Sequence, residues 1–382
     1  MAPAMNKTLL LTAAALVAGV SAHAADRYIK LTGATAFRSF AHEAIKQTFD
    51  ADPPVSVVGS PTAGQQSFRG RIAAKFGTDD VYVFAAYSGS VQGLKDLLNG
   101  TQLSYAAVGD VLPPVGSRAA DAAFMDNDPA NNPVSLNLEP LEGSGDVLGV
   151  VPFVWVRNPH PDGTSLTSIS QQAASALFGQ GFAPLELVTG LSADAGKFVV
   201  VAGRATSSGT RVITLAEIQR RPNDVIKQYA LDSANTWKEA DSLVNGTTIR
   251  DDDGLGAGYQ SGGNLKTAIV TEGTDFPALA MMSVGEAIDG SSIIGAAIKY
   301  NGVAYSKETL LNGNYTFWGY ERLIYKDGAA ADTTDFGRWY ASLKPQLEEE
   351  LNLEVATAIP RAYGLSAMGT VVRGSDGAPV TK

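Results

Sequence analysis

The residues from Phe198 to Arg220, FVVVAGRATSSGTRVITLAEIQR, constrain the chain more than any other stretch. Val199-Val200-Val201 is a β-branched run that suits a buried strand and is too short for a helix. Val212, Ile213, Leu215 and Ile218 lay an apolar stripe along one face of a helix. Between the two lie Arg204, Ser207, Ser208, Gly209 and Thr210. A strand that enters a helix through so tight a turn leaves the helix N-terminus with unpaired N–H groups and the positive end of its dipole. Such an end attracts anions. Gly209 lets a ligand approach the backbone, the hydroxyls donate hydrogen bonds, and Arg204 presents a planar cationic fork. An oxyanion cradle is one reading. An ordinary helix N-cap, where Ser and Thr are favoured anyway, is the other.

The same local design occurs twice more. Tyr28 to Leu31 reads as a strand that runs through Gly33-Ala34-Thr35-Ala36-Phe37 into a helix bearing Phe40, Ala44, Ile45 and Phe49. Val81 to Ala86 reads as a strand that passes through Ser88-Gly89-Ser90 into a helix bearing Val91, Leu94, Leu97 and Leu98. Strands alternating with helices predict an α/β fold with largely parallel sheets. In such sheets ligands sit where strand-to-helix turns converge, and three hydroxyl-rich turns are harder to explain as separate caps than one. A length of 382 residues, 45% of them hydrophobic, is enough for two domains.

The remaining stretches give coarser expectations. Val55 to Val58 reads as a strand, and Ser60 to Gly70 as a loop leading into a helix. Asp121 to Asp126 is either a strand delivering a carboxylate to a cleft or a set of solvated turn acids. Gly149 to Val156 is a buried strand in which Pro152 marks a crossing between domains. Ser165 to Phe178 is an amphipathic helix, and helix pieces are expected around Trp237. Gly254 to Gly263, GLGAGYQSGG, lacks the lysine of a nucleotide P-loop and reads as a loop before a helix at Asn264 to Val270. Ser292 to Ala297 is a strand, the aromatics of Asn314 to Tyr325 are core or hinge packing, and Phe336 to Leu351 is a terminal helix.

Lys7, the apolar run Thr8 to Val20 and Ala22-His23-Ala24 form a secretory signal over residues 1–24, with the mature chain expected to begin near Ala25. The run is short and Ala-rich for a membrane span. With no cysteine, disulfides, thiol catalysis and cysteine metal sites are excluded. His42 and His160 alone remain after the signal, which argues against a Ser-His-Asp triad or a histidine-rich zinc site. The mature chain carries 28 basic side chains against 39 acidic ones, a net charge of −11, so nucleic acid and anionic membranes are poor partners. A small anion held by a few converging donors is not excluded, because distant charge is screened over about 8–10 Å.

These residues resemble the periplasmic phosphate-binding proteins of ABC uptake systems, members of the type II solute-binding superfamily. Arg204-Ala205-Thr206-Ser207-Ser208-Gly209-Thr210 is similar to the family's Arg-x-Asp-x-Ser-Gly-Thr phosphate loop, with Thr206 where the family has Asp. Gly33 to Phe37 resembles its first loop, although the position of the family's Thr matches Ala36, with Thr35 one place earlier. Ser88-Gly89-Ser90 resembles its second.

The resemblance implies a two-lobed type II fold, each lobe a mainly parallel sheet flanked by helices, with a hinge. Lobe one would hold residues 25–148 and 310–382, and lobe two residues 149–309. It implies an anion held by Thr35, Ala36, Phe37, Ser88, Gly89, Ser90, Arg204, Ser207, Ser208, Gly209 and Thr210. It also implies an Asp that accepts the proton of hydrogen phosphate; Asp126 is the first candidate and Asp128 the next. The expected function is capture of inorganic phosphate and delivery to an ABC permease of the inner membrane by a periplasmic or secreted monomer. No cofactor, no metal, no catalysis and no nucleic acid are expected. Two alternatives remain open: a binder of another oxyanion or phosphate ester uncoupled from transport, and a secreted phosphoesterase. The latter lacks a histidine base and a metal cluster.

Overall fold

The structure is a computed structural model that describes residues 25–141, 146–289, 292–294 and 296–382. The signal-peptide reading of residues 1–24 lies outside the described residues.

One sheet of 12 strands runs through the molecule. In chain order the strands are β1 (Asp26–Gly33), β2 (Ser56–Val58), β3 (Gln65–Gly70), β4 (Asp80–Ala86), β5 (Ala122–Met125) and β6 (Asp146–Arg157). They continue as β7 (Ser168–Ile169), β8 (Phe182–Pro184), β9 (Phe198–Ala202), β10 (Ala278–Ser283), β11 (Ala296–Tyr300) and β12 (Trp318–Tyr325). Their spatial order is β2-β3-β4-β1-β5-β12-β6-β10-β9-β8, with β11 beside both β6 and β7. β1 pairs in parallel with β4 and β5, and β9 in parallel with β10. The long strands β6 and β12 run antiparallel to each other and join the two halves.

Pro152 lies where β6 changes partner. Up to that residue β6 pairs with β12, and from Phe153 to Arg157 it pairs with β10. A residue without an N–H costs least at such an exchange. β9 is buried on both faces: Val199 and Val201 enter the main core, while Val200 and Ala202 join a second one with Leu265 and Met282. This is why its sequence is a continuous apolar run rather than an alternating one.

The helices of eight residues or more are α1 (Arg38–Gln47), α2 (Ser90–Asn99), α3 (Gln171–Gln180), α4 (Gly209–Glu217), α5 (Gly262–Ile269) and α6 (Asp335–Val355). They flank the sheet, α6 burying Trp339, Leu343 and Leu347. Several local expectations shift. Gln65–Gly70 is a strand rather than loop; the donors of its buried Gln66 and Ser67 find carbonyls, Ser67 Oγ donating to Ala106 O at 2.6 Å and Gln66 Nε2 to Pro61 O at 2.9 Å. Around Trp237 the chain forms an antiparallel ribbon, Tyr229–Leu231 with Trp237–Glu239, followed directly by a short 3₁₀ helix, Ala240–Leu243. Asp232 Oδ1 accepts from the N–H groups of Ala234 and Thr236, which tightens the ribbon's turn. The helix expected from Ser165 begins only at Gln171, because Ser170 caps it through the Ala173 N–H. The strand expected over 292–297 is two short pieces, Ser292–Ile293 and Ala296–Tyr300. Among the described residues no helix is long and apolar enough to cross a membrane.

Candidate functional site

Helices α1, α2 and α4 each start just past the carboxyl end of a strand, β1, β4 and β9 respectively. Their N-cap residues, Phe37, Gly89 and Ser208, make no side-chain cap hydrogen bond. The other three long helices are capped by their own hydroxyls, Ser170, Ser261 and Thr334. The N–H groups of Ala36, Phe37, Gly209 and Thr210 have no hydrogen-bond partner among the described residues. The start of α2 is closed from the other half: the Ser207 carbonyl accepts from Val91 N–H at 3.1 Å and Gln92 N–H at 3.3 Å.

Arg204 sits in the middle, only 1% exposed. Its Nε donates to the Tyr259 carbonyl at 3.2 Å, and its Nη2 to Gln260 O at 3.1 Å and Thr35 Oγ1 at 3.5 Å. Nη1 makes no hydrogen bond and lies 3.6 Å from Glu286 Oε2. Thr206 Oγ1 and Ser207 Oγ are buried without a partner. The Gly-rich stretch 254–263 is the bed of this turn. A Cβ on Gly258 would lie 2.5 Å from the Arg204 carbonyl carbon, so only glycine lets the strands touch there. Arg211 locks the bed by donating to Gly256 O at 2.7 Å and Leu255 O at 2.6 Å. Helix α5 follows directly, two residues earlier than expected.

Asp126 directly follows β5 and is 2% exposed, so it is not a solvated acid. Ser90 Oγ donates to its Oδ1, and the Asp126 N–H donates to Ser90 Oγ at 3.3 Å. Gly209 rests on this pair: a Cβ there would fall 2.3 Å from Asp126 Oδ1 and 2.5 Å from Ser90 Oγ. Burial pushes the Asp126 carboxyl up to about 7. The Arg204 charge pulls the other way, and the charges of Glu286 and Asp376 add to the rise.

The other candidates divide. Thr35, not Ala36, faces Arg204, while Ala36 lines the neighbouring cleft. Phe37 packs on Phe40 and Phe124 in the core, which leaves only its backbone to a ligand. The Ser88 hydroxyl is engaged away from Arg204, 3.2 Å from Thr32 Oγ1 and donating to Asp96 Oδ2 at 3.4 Å. Gly89 has a φ of 105°, and a Cβ on it would lie 2.5 Å from the Ser207 carbonyl oxygen. Ser208 and Thr210 are buried at the start of α4. Asp128 is drawn off, its N–H donating to Asp376 at 2.8 Å and its Oδ2 lying 3.8 Å from Arg322 Nη2.

Two residues escaped the sequence reading. Glu286 places its carboxylate where a Cβ of Gly262 would be, and both its oxygens are buried without a hydrogen bond. Nothing local in VGEAID announces it. Arg38 opens α1, is 9% exposed and has no hydrogen bond or ion pair among the described residues. A cation at a helix N-terminus opposes the dipole, and that was a usable signal. Arg38 and Glu286 both line a cleft cavity of about 380 Å³, together with Thr35, Thr62, Lys266 and Arg361. Among the described residues no group of three or more His, Cys, Asp or Glu could hold a metal ion.

No protein-family model matches the sequence, and no curated protein matches it. Solved structures do. One, from Clostridium perfringens, is described as a phosphate ABC transporter substrate-binding protein and carries bound phosphate. It superposes with a TM-score of 0.50 at 14% identity, over 89% of this chain and 100% of that one. An ABC-type phosphate transport receptor from Vibrio cholerae gives a TM-score of 0.45 at 15% identity, over 87% and 100% of the two chains. The chain thus has the two-lobed α/β fold of the Clostridium perfringens protein, reached from a sequence with little in common.

Proposed function

We propose that this chain is an exported solute-binding protein that captures a phosphate-type oxyanion, inorganic phosphate or a phosphate ester, and delivers it to an ABC permease. One observation carries the reading. The three long helices that lack side-chain caps are the three whose N-termini meet around Arg204, and at α1 and α4 the N–H groups of Ala36, Phe37, Gly209 and Thr210 have no partner among the described residues. Ordinary caps would have closed them.

In this reading lobe one is 25–148 with 310–382, lobe two is 149–309, and β6 and β12 form the hinge. The bonds from Val91 and Gln92 to the Ser207 carbonyl belong to the closed form, and the permease reads that form. Arg204, Thr35 and Ser207 with the turn N–H groups hold the anion. Asp126 reads its proton, since an ionised carboxylate accepts from hydrogen phosphate but repels sulfate. No bond is broken, and the protein works as a periplasmic monomer.

Thr206 favours a second reading, a broader oxyanion binder. Its hydroxyl is buried and unpartnered where the resembling loop has a carboxylate, and a hydroxyl can donate as well as accept. Calorimetric titration of the mature protein with phosphate and sulfate, with Arg204→Ala as control, decides. Phosphate binding lost in the variant and unmatched by sulfate supports the first reading. Equal binding of both anions supports the second, and absence of both removes the cradle.

A further inference from the structure

We propose that the ligand is a phosphate monoester of a small polyhydroxylated organic group, with that group lying in the cavity beside Arg38 and Glu286. The inference rests on the oxyanion reading of the Arg204 turn and goes on to name the class of molecule; the ester binds as its monoanion, whose P–OH donates to Asp126 as hydrogen phosphate would.

Size is the first argument. A cavity of about 380 Å³ lies within the range of organic-ligand pockets and has room for about a dozen waters at about 30 Å³ each. Bare phosphate leaves most of it empty. Continuity is the second. Thr35 and Glu286 line the cavity, and they are also the side chains 3.5 and 3.6 Å from the Arg204 guanidinium. Arg204 itself does not line the cavity, so these two residues are the link between a phosphoryl group held there and the cleft.

The lining chemistry is the third argument. Arg38 is nine-tenths buried, lines the cavity and has no hydrogen-bond or ion-pair partner among the described residues. The Glu286 carboxylate, which lines the same cavity 3.6 Å from Arg204 Nη1, is also buried, and neither of its oxygens accepts a hydrogen bond among the described residues. A second strongly anionic group on the ligand would satisfy Arg38 but collide electrostatically with Glu286. Hydroxyl groups meet both demands, accepting from the guanidinium and donating to the carboxylate. Lys266 adds a donor; its Nζ spends one proton on the Ile288 carbonyl at 2.7 Å and keeps two. Arg361 is already paired with Glu354 and supplies only a wall. No aromatic ring lines the cavity, so a nucleobase would find nothing to stack on.

The test is calorimetric titration of the mature protein with inorganic phosphate, glycerol 3-phosphate, glucose 6-phosphate and AMP, on the native chain and on Arg38→Gln, Glu286→Gln and Arg204→Ala. At least one sugar or polyol phosphate should bind about tenfold or more tighter than phosphate. The ester-to-phosphate affinity ratio should shrink in Arg38→Gln and Glu286→Gln, with thermal melts confirming that both fold. Phosphate binding as tightly as every ester, or a ratio unmoved by either variant, overturns the ester inference while leaving the oxyanion site standing. AMP binding best overturns the polyol assignment. If no phosphoryl compound binds, or Arg204→Ala binds as the native chain does, the oxyanion reading itself falls.

Discussion

Replacing Asp126 by Asn should change how stability depends on pH, and the size follows from the site. The buried carboxyl keeps its proton up to about pH 7 in the folded protein, whereas its ordinary value is 3.8. Below about pH 4 both states are protonated and the native chain has the full benefit. As the pH rises towards 7 the unfolded chain gives up this proton and the folded one does not, so stability falls by about 1.4 kcal/mol per pH unit. Above 7 the loss is complete. A separation of about three pH units makes it about 4 kcal/mol, softened towards about 2 if the interior relaxes around the charge. Asn cannot titrate, yet its side-chain carbonyl still accepts from Ser90. Groups that do not feel Asp126 cancel in the comparison; Glu321, whose burial also pushes it well up, is raised further by the Asp126 charge, so its relief in the variant adds to the gain in the same direction. Urea unfolding at pH 4.5, 6 and 8 should show Asp126→Asn gaining on the native chain by about 2–4 kcal/mol across that range. Differences constant to within about 0.5 kcal/mol would refute the reasoning, because the carboxyl would then be ionised in the fold at every pH. The same variant should admit sulfate at pH 8, where the ionised native residue repels it.

Three further outcomes follow from named contacts. Arg204→Lys retains the charge but loses the fork that reaches Tyr259, Gln260 and Thr35 at once, and should weaken phosphate binding by about a hundredfold in calorimetry. Gly209→Ala gains helix propensity but drives a Cβ into Asp126 and Ser90; its melting temperature should stay within a few degrees of native, while its anion affinity falls about tenfold or more. Arg373→Ala removes the partner of buried Glu217, 3.1 Å from its Nη2, and the cation above the Trp318 ring at 4.5 Å. It should cost about 3–5 kcal/mol in urea unfolding.

The strands that carry the site could be read because each is a local pattern. Val199-Val200-Val201 is buried on both faces and contains no residue that a surface strand would want. Gln65–Gly70 could not be read so, since its buried Gln66 and Ser67 are tolerated only because the carbonyls of Ser60, Pro61 and Ala106 come from outside the strand to meet them. The same holds around Trp237. Its ring is buried against a ribbon whose register depends on Asp232 and on the packing of β9 and β10, and no helical or strand period shows in the sequence. Pro152 is the contrary case. Its missing donor falls where β6 exchanges one partner strand for another, and one residue type carries the whole signal.

Within the site the limit is sharper, for a Ser or Thr before a helix serves equally as cap or as ligand donor. Ser170, Ser261 and Thr334 turn back on their own helices and accept from the backbone, while Ser208 does not. That difference lies in what surrounds the turn. The Ser207 carbonyl is drawn across to α2, Gly209 is pressed on Asp126, and the Gly-rich bed fixes Arg204 from behind. A missing cap costs a helix about 1 kcal/mol. Two such ends, at α1 and α4, with an Arg38 that has no partner among the described residues beside them, are a stability the native state gives up at one place, while the start of α2 is closed by the Ser207 carbonyl. No single one of those losses needs a ligand. Their convergence on one cleft is what separates a cradle from three incomplete caps, and convergence between residues 35, 90 and 209 is a property of the sheet order, which a linear reading of the turns does not contain.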